Sequence, residues 1–286
     1  MSVEAFAAGR TFILREARLL ERRLFATVFE GAPSSGVVDA LRAFRNPDGG
    51  FGHGLEPDKR CPDSLPIDVE AALDALLIAG TTDEPVVLAA CDWLAAVAAP
   101  DGAVPLSFPV MEGYPRAEHW SEWTYEPGLN PTAGLVGRLH RLGVDHPWLR
   151  HASDWCWTRL AAGFDEDAHA LGETLIFLAS VPDRARSATF APLVPRWLAA
   201  APNFRADPTD PGYGLTPLHF APAPDGPWSH LFDGTTIDGH LDRLQRDQQP
   251  DGGWAITWEP PSQASTLEWR GIETLRALRV LRAYGR

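Results

Sequence analysis

The sequence predicts an all-α fold of helical hairpins that stack or close on one another, with essentially no sheet. Three observations carry this. One turn occurs twice, as Asn46-Pro47-Asp48-Gly49-Gly50-Phe51 and as Gln249-Pro250-Asp251-Gly252-Gly253-Trp254. The copies lie 254 − 51 = 203 residues apart, and at that offset Asp39, Leu41, Glu56-Pro57 and Glu70 match Asp242, Leu244, Glu259-Pro260 and Glu273. Apolar spacing alternates between amphipathic segments before the turn and almost uniformly apolar ones after it, and no segment alternates with period two. A unit that cannot bury its own face must stack on or close against neighbours. Matching ends therefore place the first and last units side by side, in one domain spanning 1–286.

The elements follow in order. Residues 3–29 carry Ile13, Ala17, Leu20 and Leu24 at helical spacing, with Arg15, Arg18, Arg22 and Arg23 on other faces as a solvated stripe beside Glu16 and Glu21. Val37–Phe44 is a short helix ended by the first Gly-Gly turn (46–54), where proline removes a donor and paired glycines admit positive φ. After an irregular stretch to Pro66, Ile67–Ala79 is apolar on most faces, hence buried. Thr82 or Asp83 caps a helix running through Trp93 to Ala99. Pro100-Asp101-Gly102 opens a degenerate third turn (100–104) and a long loop, ending at Asn130-Pro131, an N-cap followed by an N1 proline. Helices 132–142, 147–163, 167–180 and 184–200 follow, joined by short loops that make neighbours antiparallel. Pro202–Pro227 is a proline-rich loop of a length usually kept for function or bracing. Helix 235–248 leads to the second full turn (249–257), and Leu267–Ala283 closes the chain.

Composition limits the function classes. Apolar residues form 45% of the chain, enough for a large core, and 11 Trp with 13 Phe imply broad apolar surfaces or a lined cavity. A net charge of −13 repels phosphate backbones, which argues against nucleic acid as a partner. Three dispersed cysteines make no disulfide framework and fit a reducing compartment. No leader-like segment or long apolar run occurs, so a soluble cytoplasmic protein without a membrane span is expected. The oligomeric state is not encoded in any pattern.

The turn Gln248-Gln249-Pro250-Asp251-Gly252-Gly253-Trp254, followed by a buried helix, resembles the QW repeat of squalene–hopene cyclases, and Gly50-Phe51-Gly52 resembles the repeat of protein prenyltransferase β subunits. The resemblance covers about a third of the chain. It implies an α/α toroid (barrel) of antiparallel hairpins, with inner and outer helix rings around an aromatic-lined hydrophobic cavity. It implies fold more than activity. In the turn, Asp and Gly-Gly are expected to be scaffold, with glutamine tying helix ends. The Asp-x-Asp-Asp cluster of the cyclases is absent. Asp58 and Cys61 depart from the Asp-x-Cys zinc spacing of the transferases. No metal or cofactor is expected.

Comparison of the two copies separates scaffold from candidate chemistry. Glu56/Glu259 and Glu70/Glu273 occur in both and are expected to serve the repeat. His53, Asp58, Cys61, Asp63 and Asp68 face Ile256, Pro261, Ala264, Thr266 and Gly271, so they mark where function is expected. Asp68, Asp58 and Asp238 are the candidate catalytic carboxyl groups, able to act as acids when apolar surroundings raise their pKa. His53, Trp120, Trp123, Tyr125, Trp258 and Arg270 are the candidate binding residues, the aromatics by offering π faces to a cationic intermediate. Asp233 is an N-cap, and His119, His219 and His240 are isolated histidines. The leading expectation is a cyclase-, isomerase- or transferase-like protein that binds or transforms a hydrophobic, isoprenoid-like small molecule. The alternatives are an α/α-barrel carbohydrate-active hydrolase or lyase and a non-catalytic scaffold.

Overall fold

A computed structural model describes residues 1–286 except 122 and 165. Among the described residues there are thirteen α-helices, short 3-10 turns and five isolated bridges, and no strand or sheet. The helices are α1 (Val3–Glu16), α2 (Leu19–Glu30), α3 (Ser35–Leu41), α4 (Pro66–Ala79), α5 (Glu84–Val97), α6 (Leu129–Arg141) and α7 (Pro147–Ala161). They continue as α8 (Ala168–Ser180), α9 (Arg184–Phe190), α10 (Val194–Ala200), α11 (Pro217–Phe220), α12 (Gly234–Arg246) and α13 (Gln263–Ala283). None is long and apolar enough to cross a membrane.

Packing follows a circuit. α2 packs on α4, α4 on α6, α6 on α8, α8 on α11, α11 on α12, α12 on α13, and α13 returns to α2. α1 lies against α13 and α2, α5 bridges α4 and α7, and α7 lies on α6. One contiguous apolar cluster runs from Ile13 to Leu281. The small residues of α6 explain its intimacy with α8: a Cβ on Gly137 would stand 2.8 Å from the Ile176 carbonyl group, so the two backbones touch.

The three turns are built alike. The amide of Gly49, Gly102 or Gly252 donates to the carbonyl three residues before it, at 3.1, 2.8 and 2.8 Å. The residue following each glycine donates its amide to the turn aspartate, Asp48, Asp101 or Asp251. The three glycines have φ of 95°, 91° and 91°, a conformation that costs side-chain-bearing residues energy. Each turn docks on backbone elsewhere: Gly49 on Ala89 of α5, Gly102 on His151 and Ala152 of α7, and Gly252 on Ala8 of α1. The last turn thus joins the two ends of the chain. Gln248 reinforces that joint by donating to the Ala5 carbonyl at 2.8 Å.

The expected helix 3–29 is broken. Ala17 and Arg18 are extended (ψ 159° and 164°), although neither residue is a helix breaker. The cause is tertiary. Arg18 turns inward, gripping both oxygens of buried Glu21 and donating to the Leu55 carbonyl at 2.8 Å. Arg18 and Glu21 are therefore interior groups, not part of a solvated stripe. The expected helix 184–200 is also interrupted, by a 3-10 turn at Ala191–Leu193 between α9 and α10, and the proline-rich loop holds the short helix α11. Other boundaries shift by only a few residues, within the fraying expected at helix ends.

Candidate functional site

The segment between the first turn and α4 is pinned at both edges. The Leu65 amide donates to the Phe51 carbonyl, and the Arg60 and Ala117 amides bond the Pro115 and Asp58 carbonyls. A Cβ on Gly52 would collide with the Asp63 carbonyl at 2.2 Å, so only glycine allows this closure. The fixed segment carries Glu56, Asp58 and Lys59, and α4 adds Asp68 from its first turn.

Lys59 is fully buried. Its Nζ lies 2.8 Å from Glu56 Oε2 and 3.2 Å from Asp68 Oδ2, and Asp68 Oδ1 accepts the Glu56 amide at 2.7 Å. Burial opposes the lysine charge, but Asp68 and Glu56 outweigh it and hold the pKa above the ordinary value. One ammonium shared by two carboxylates leaves Asp68 undercompensated, and burial pushes its carboxyl up to about 6. Asp68 is thus a sealed member of an ion cluster and not an exposed loop residue.

Asp58 stands apart from that pairing. Its Oδ1 accepts two indole N–H bonds, from Trp258 at 3.0 Å and Trp269 at 2.7 Å. Its Oδ2 faces His119 Nε2 at 3.6 Å, beyond hydrogen-bond length. Asp58 is 5% exposed. Burial and the nearby Glu56 carboxylate push its pKa up to about 7, against the pull of the two indoles. With Oδ1 committed, Oδ2 is the oxygen free to carry and deliver a proton. His119 is held below its ordinary pKa, chiefly by burial, and so stays neutral at pH 7.

Aromatic rings surround this carboxyl group. Trp258 meets Trp269 edge-to-face at 5.0 Å and Tyr213 edge-to-face at 5.9 Å. Tyr213 is 44% exposed. His119 arrives at Asp58 from the long loop after the third turn, and Tyr213 arrives at Trp258 from the proline-rich loop, so both long loops border the site. Arg60 anchors the same region to α13 through both oxygens of Glu268, at 2.8 and 3.1 Å.

The other expected site residues lie elsewhere. Asp238 projects from α12 with a 69% exposed side chain, 3.6 Å from Arg286 of the C-terminus, and does not join Asp58 and Asp68. Arg270 is held by Asp251 at 2.8 Å and covers the Phe12 ring, so it braces the second turn. His53 has left-handed φ (58°), bonds Asn46 Oδ1 at 2.9 Å, and lines a separate cavity of about 390 Å3 beside the first turn. Trp120 is buried in a second apolar cluster with Cys61, Leu65, Leu106 and Met111, and Trp123 leans on it at 4.7 Å. Tyr125 packs at the edge of that cluster and donates to Glu112 at 2.7 Å. Glu56 and Glu259 are not equivalent: the first is buried on Lys59, the second is exposed. Asp233 caps α12 through the Thr236 amide, as expected.

Sequence reasoning missed Lys59, Trp269, Tyr213 and the approach of His119 to Asp58. A signal for the first existed. Lys59 is the sole lysine in a chain of 25 cationic residues, all the others being arginine (25 − 1 = 24). A compact ammonium with three donors suits a closed socket of three oxygens, Glu56 Oε2, Asp68 Oδ2 and the Glu56 carbonyl at 3.4 Å, which a planar guanidinium does not.

A second buried charge set lies in the core. Arg138 of α6 meets Asp74 at 2.7 Å, Glu70 at 3.4 Å and Glu173. Gly134 leaves the space in which Arg138 and Glu173 meet. Burial and the facing Glu173 push Glu70 far above the carboxylate range. Among the described residues, no three His, Cys, Asp or Glu side chains converge to hold a metal ion.

No protein-family description matches the chain, and no curated protein does so. Among solved structures, the crystal structure of a protein from Actinoplanes superposes with a TM-score of 0.57 at 16% identity, over 99% of each chain. At that identity the likeness concerns the fold alone.

Proposed function

We propose that this chain is a single-domain α/α toroid whose aromatic-ringed Asp58 performs proton-donor chemistry on a hydrophobic, isoprenoid-like small molecule. The circuit of helix packing and the last turn docked on α1 support the toroid. The observation that carries the chemistry is the division of labour at Asp58: Oδ1 is fixed by two indoles while Oδ2, the protonatable oxygen, stays uncommitted.

In this reading, Oδ2 gives its proton to an alkene or epoxide. The faces of Trp258, Trp269 and Tyr213 stabilise the resulting cation, and loss of a proton ends a cyclisation or isomerisation. Asp68 does not donate, because it is engaged by Lys59 and the Glu56 amide. A pKa near 7 suits an acid that must hold its proton and still release it. The test is incubation with a panel of acyclic polyprenols and polyene hydrocarbons at pH 6–8, with products read by gas chromatography–mass spectrometry. A product of unchanged mass is expected, and it should vanish in Asp58→Asn. Conversion that survives the substitution, or no conversion of any panel member, overturns the reading.

A carbohydrate-active enzyme is the second reading. It is favoured by the openness of the rim, where the side chain of His119 is 49% exposed and Tyr213 similarly so. Hydrolysis of chromogenic glycosides in place of polyprenol conversion would select it.

A further inference from the structure

The rim of the Asp58 site holds a chain of titratable groups whose polar atoms the proton-donor reading leaves unused. Asp167 is the N-cap of α8, and its Oδ1 accepts the His169 and Ala170 amides at 3.0 Å each. Its second oxygen, Oδ2, lies 3.2 Å from His169 Nδ1. The other ring nitrogen, Nε2, lies 2.9 Å from the Tyr213 hydroxyl. The imidazole and phenol planes are nearly parallel, 17° apart, with ring centroids 5.8 Å apart. Tyr213 then packs edge-to-face on Trp258, whose indole N–H holds Asp58.

We infer that Asp167, His169 and Tyr213 form a proton-accepting relay that makes the Tyr213 oxygen a base and nucleophile facing the same substrate as Asp58. The polarity of the relay follows from its ends. A carboxylate oxygen accepts, so Nδ1 carries the proton and Nε2 presents its lone pair to the phenol O–H. Burial would raise Asp167, but the hydrogen bonds of His169 and of the Ala170 amide outweigh it, so it remains the ionised partner. This is the orienting-acid, imidazole and hydroxyl order of an activated nucleophile, with a phenol in place of an aliphatic hydroxyl.

The surroundings explain why the relay is needed. Burial, then the carboxylates of Asp58, Asp167, Glu56 and Glu273, push the Tyr213 phenol up to about 12. A free phenolate is therefore excluded at neutral pH, and the oxygen reacts only when its proton passes to Nε2 in the same step. The loop holds the phenol in place: the Arg205 guanidinium donates to the Tyr213 carbonyl at 3.0 Å, the Arg205 amide donates to the Leu215 carbonyl at 2.8 Å, and the Leu215 amide donates to the Asn203 carbonyl at 2.8 Å. When a substrate C–H or O–H gives its proton to the Tyr213 oxygen, the phenolic proton moves to Nε2. The imidazolium is held by Asp167 and loses its extra proton to solvent. Together with delivery from Asp58 Oδ2, this defines a substrate class: small molecules that gain a proton at one atom and lose one at another, with no net change in composition. That class assignment rests on the reading of Asp58 as donor. The relay itself does not.

The test uses the full-length protein and p-nitrophenyl acetate as probe. The Tyr213 oxygen forms a bond to the acetyl carbon, p-nitrophenolate leaves, and the phenolic proton goes to His169 Nε2. Peptide mapping should show Tyr213 acetylated at least about tenfold faster than Tyr114, Tyr125 and Tyr284. His169→Gln keeps a hydrogen-bond acceptor but no base, and it should slow Tyr213 by about a hundredfold, the usual worth of general-base assistance. His169→Asn serves as a second variant, with circular dichroism confirming the fold of each. Asp58→Asn should leave Tyr213 acetylation intact while abolishing polyprenol conversion, which separates failure of the relay from failure of the donor. Tyr213 reacting no faster than the other tyrosines, or equally fast without His169, overturns the relay.

Discussion

Replacing Asp58 by Asn should make the protein more stable, and increasingly so as pH rises. The folded carboxyl has a pKa of about 7 against 3.8 for the ordinary group. The folded state thus keeps a proton that the unfolded chain releases. The stabilisation from that proton is complete below about pH 4 and is lost as pH rises through about 7. About three pH units at 1.36 kcal/mol each set a ceiling of about 4 kcal/mol. Relaxation of Glu56 and Lys59 around the ionised group lowers this to about 2–4 kcal/mol. Asparagine retains an oxygen for the Trp258 and Trp269 N–H groups but cannot ionise. The stability difference between variant and parent should then be close to zero at pH 4 and about 2–4 kcal/mol in favour of Asp58→Asn at pH 8. Urea unfolding followed by circular dichroism in one-unit pH steps measures it. Asp68, Glu70 and Glu173 also titrate abnormally, but they are common to both proteins and cancel in the difference. Parallel profiles, differing by a constant within about 0.5 kcal/mol, would refute the account of Asp58 as a carboxyl strained by burial.

Lys59→Met leaves Glu56 and Asp68 without their cation and should cost about 3–5 kcal/mol in urea unfolding at pH 7. Adding Asp68→Asn should recover part of that loss. Gly252→Ala places a Cβ 2.2 Å from the Ala8 carbonyl at a φ of 91°, so it should lower the melting temperature far more than Gly31→Ala, where φ is 73° and no atom lies within 4 Å. The latter should cost only about 1 kcal/mol, the left-handed penalty alone. Equal losses in the two glycine variants would mean that the turn does not clamp the chain ends.

What the sequence made legible was whatever local chemistry enforces. The Gly-Gly turns were readable because their φ values restrict the residue type, and the third copy could be aligned because Gly102 needs the same conformation as Gly49 and Gly252. The apolar helix at 66–79 was readable from its composition. Aligning the two copies singled out Asp58 and Asp68, since a residue absent from one repeat is not needed to build it. The break at Ala17-Arg18 was hidden because its cause is a carbonyl nearly forty residues away, at Leu55. Tyr213, Trp269 and His119 were hidden for a similar reason. Trp269 and His119 reach Asp58 and Tyr213 reaches Trp258, from one helix and two long loops, and no periodicity records where such segments converge. Asp238 shows the converse error: residue type alone made it a candidate acid, but its side chain is exposed and its partner is the C-terminal Arg286.

In the proposed mechanism, Lys59 decides which of three neighbouring carboxyl groups is the acid. Its ammonium contacts Glu56 and Asp68 directly, at 2.8 and 3.2 Å, and with Asp58 it has only a weaker, longer-range interaction. The nearby Glu56 carboxylate, after burial itself, raises Asp58. Asp68 is undercompensated but closed off by the Glu56 amide. Asp58 alone is left with no cation in contact, with two neutral N–H donors that fix its orientation without neutralising it, and with an oxygen turned toward the rim. Two indoles stabilise the carboxylate less than an ammonium would, which is why the group titrates near neutrality and not in the ordinary carboxylate range. A single buried lysine can therefore single out the proposed proton donor without touching it. It draws off the carboxylates on one side and leaves the third to be governed by burial.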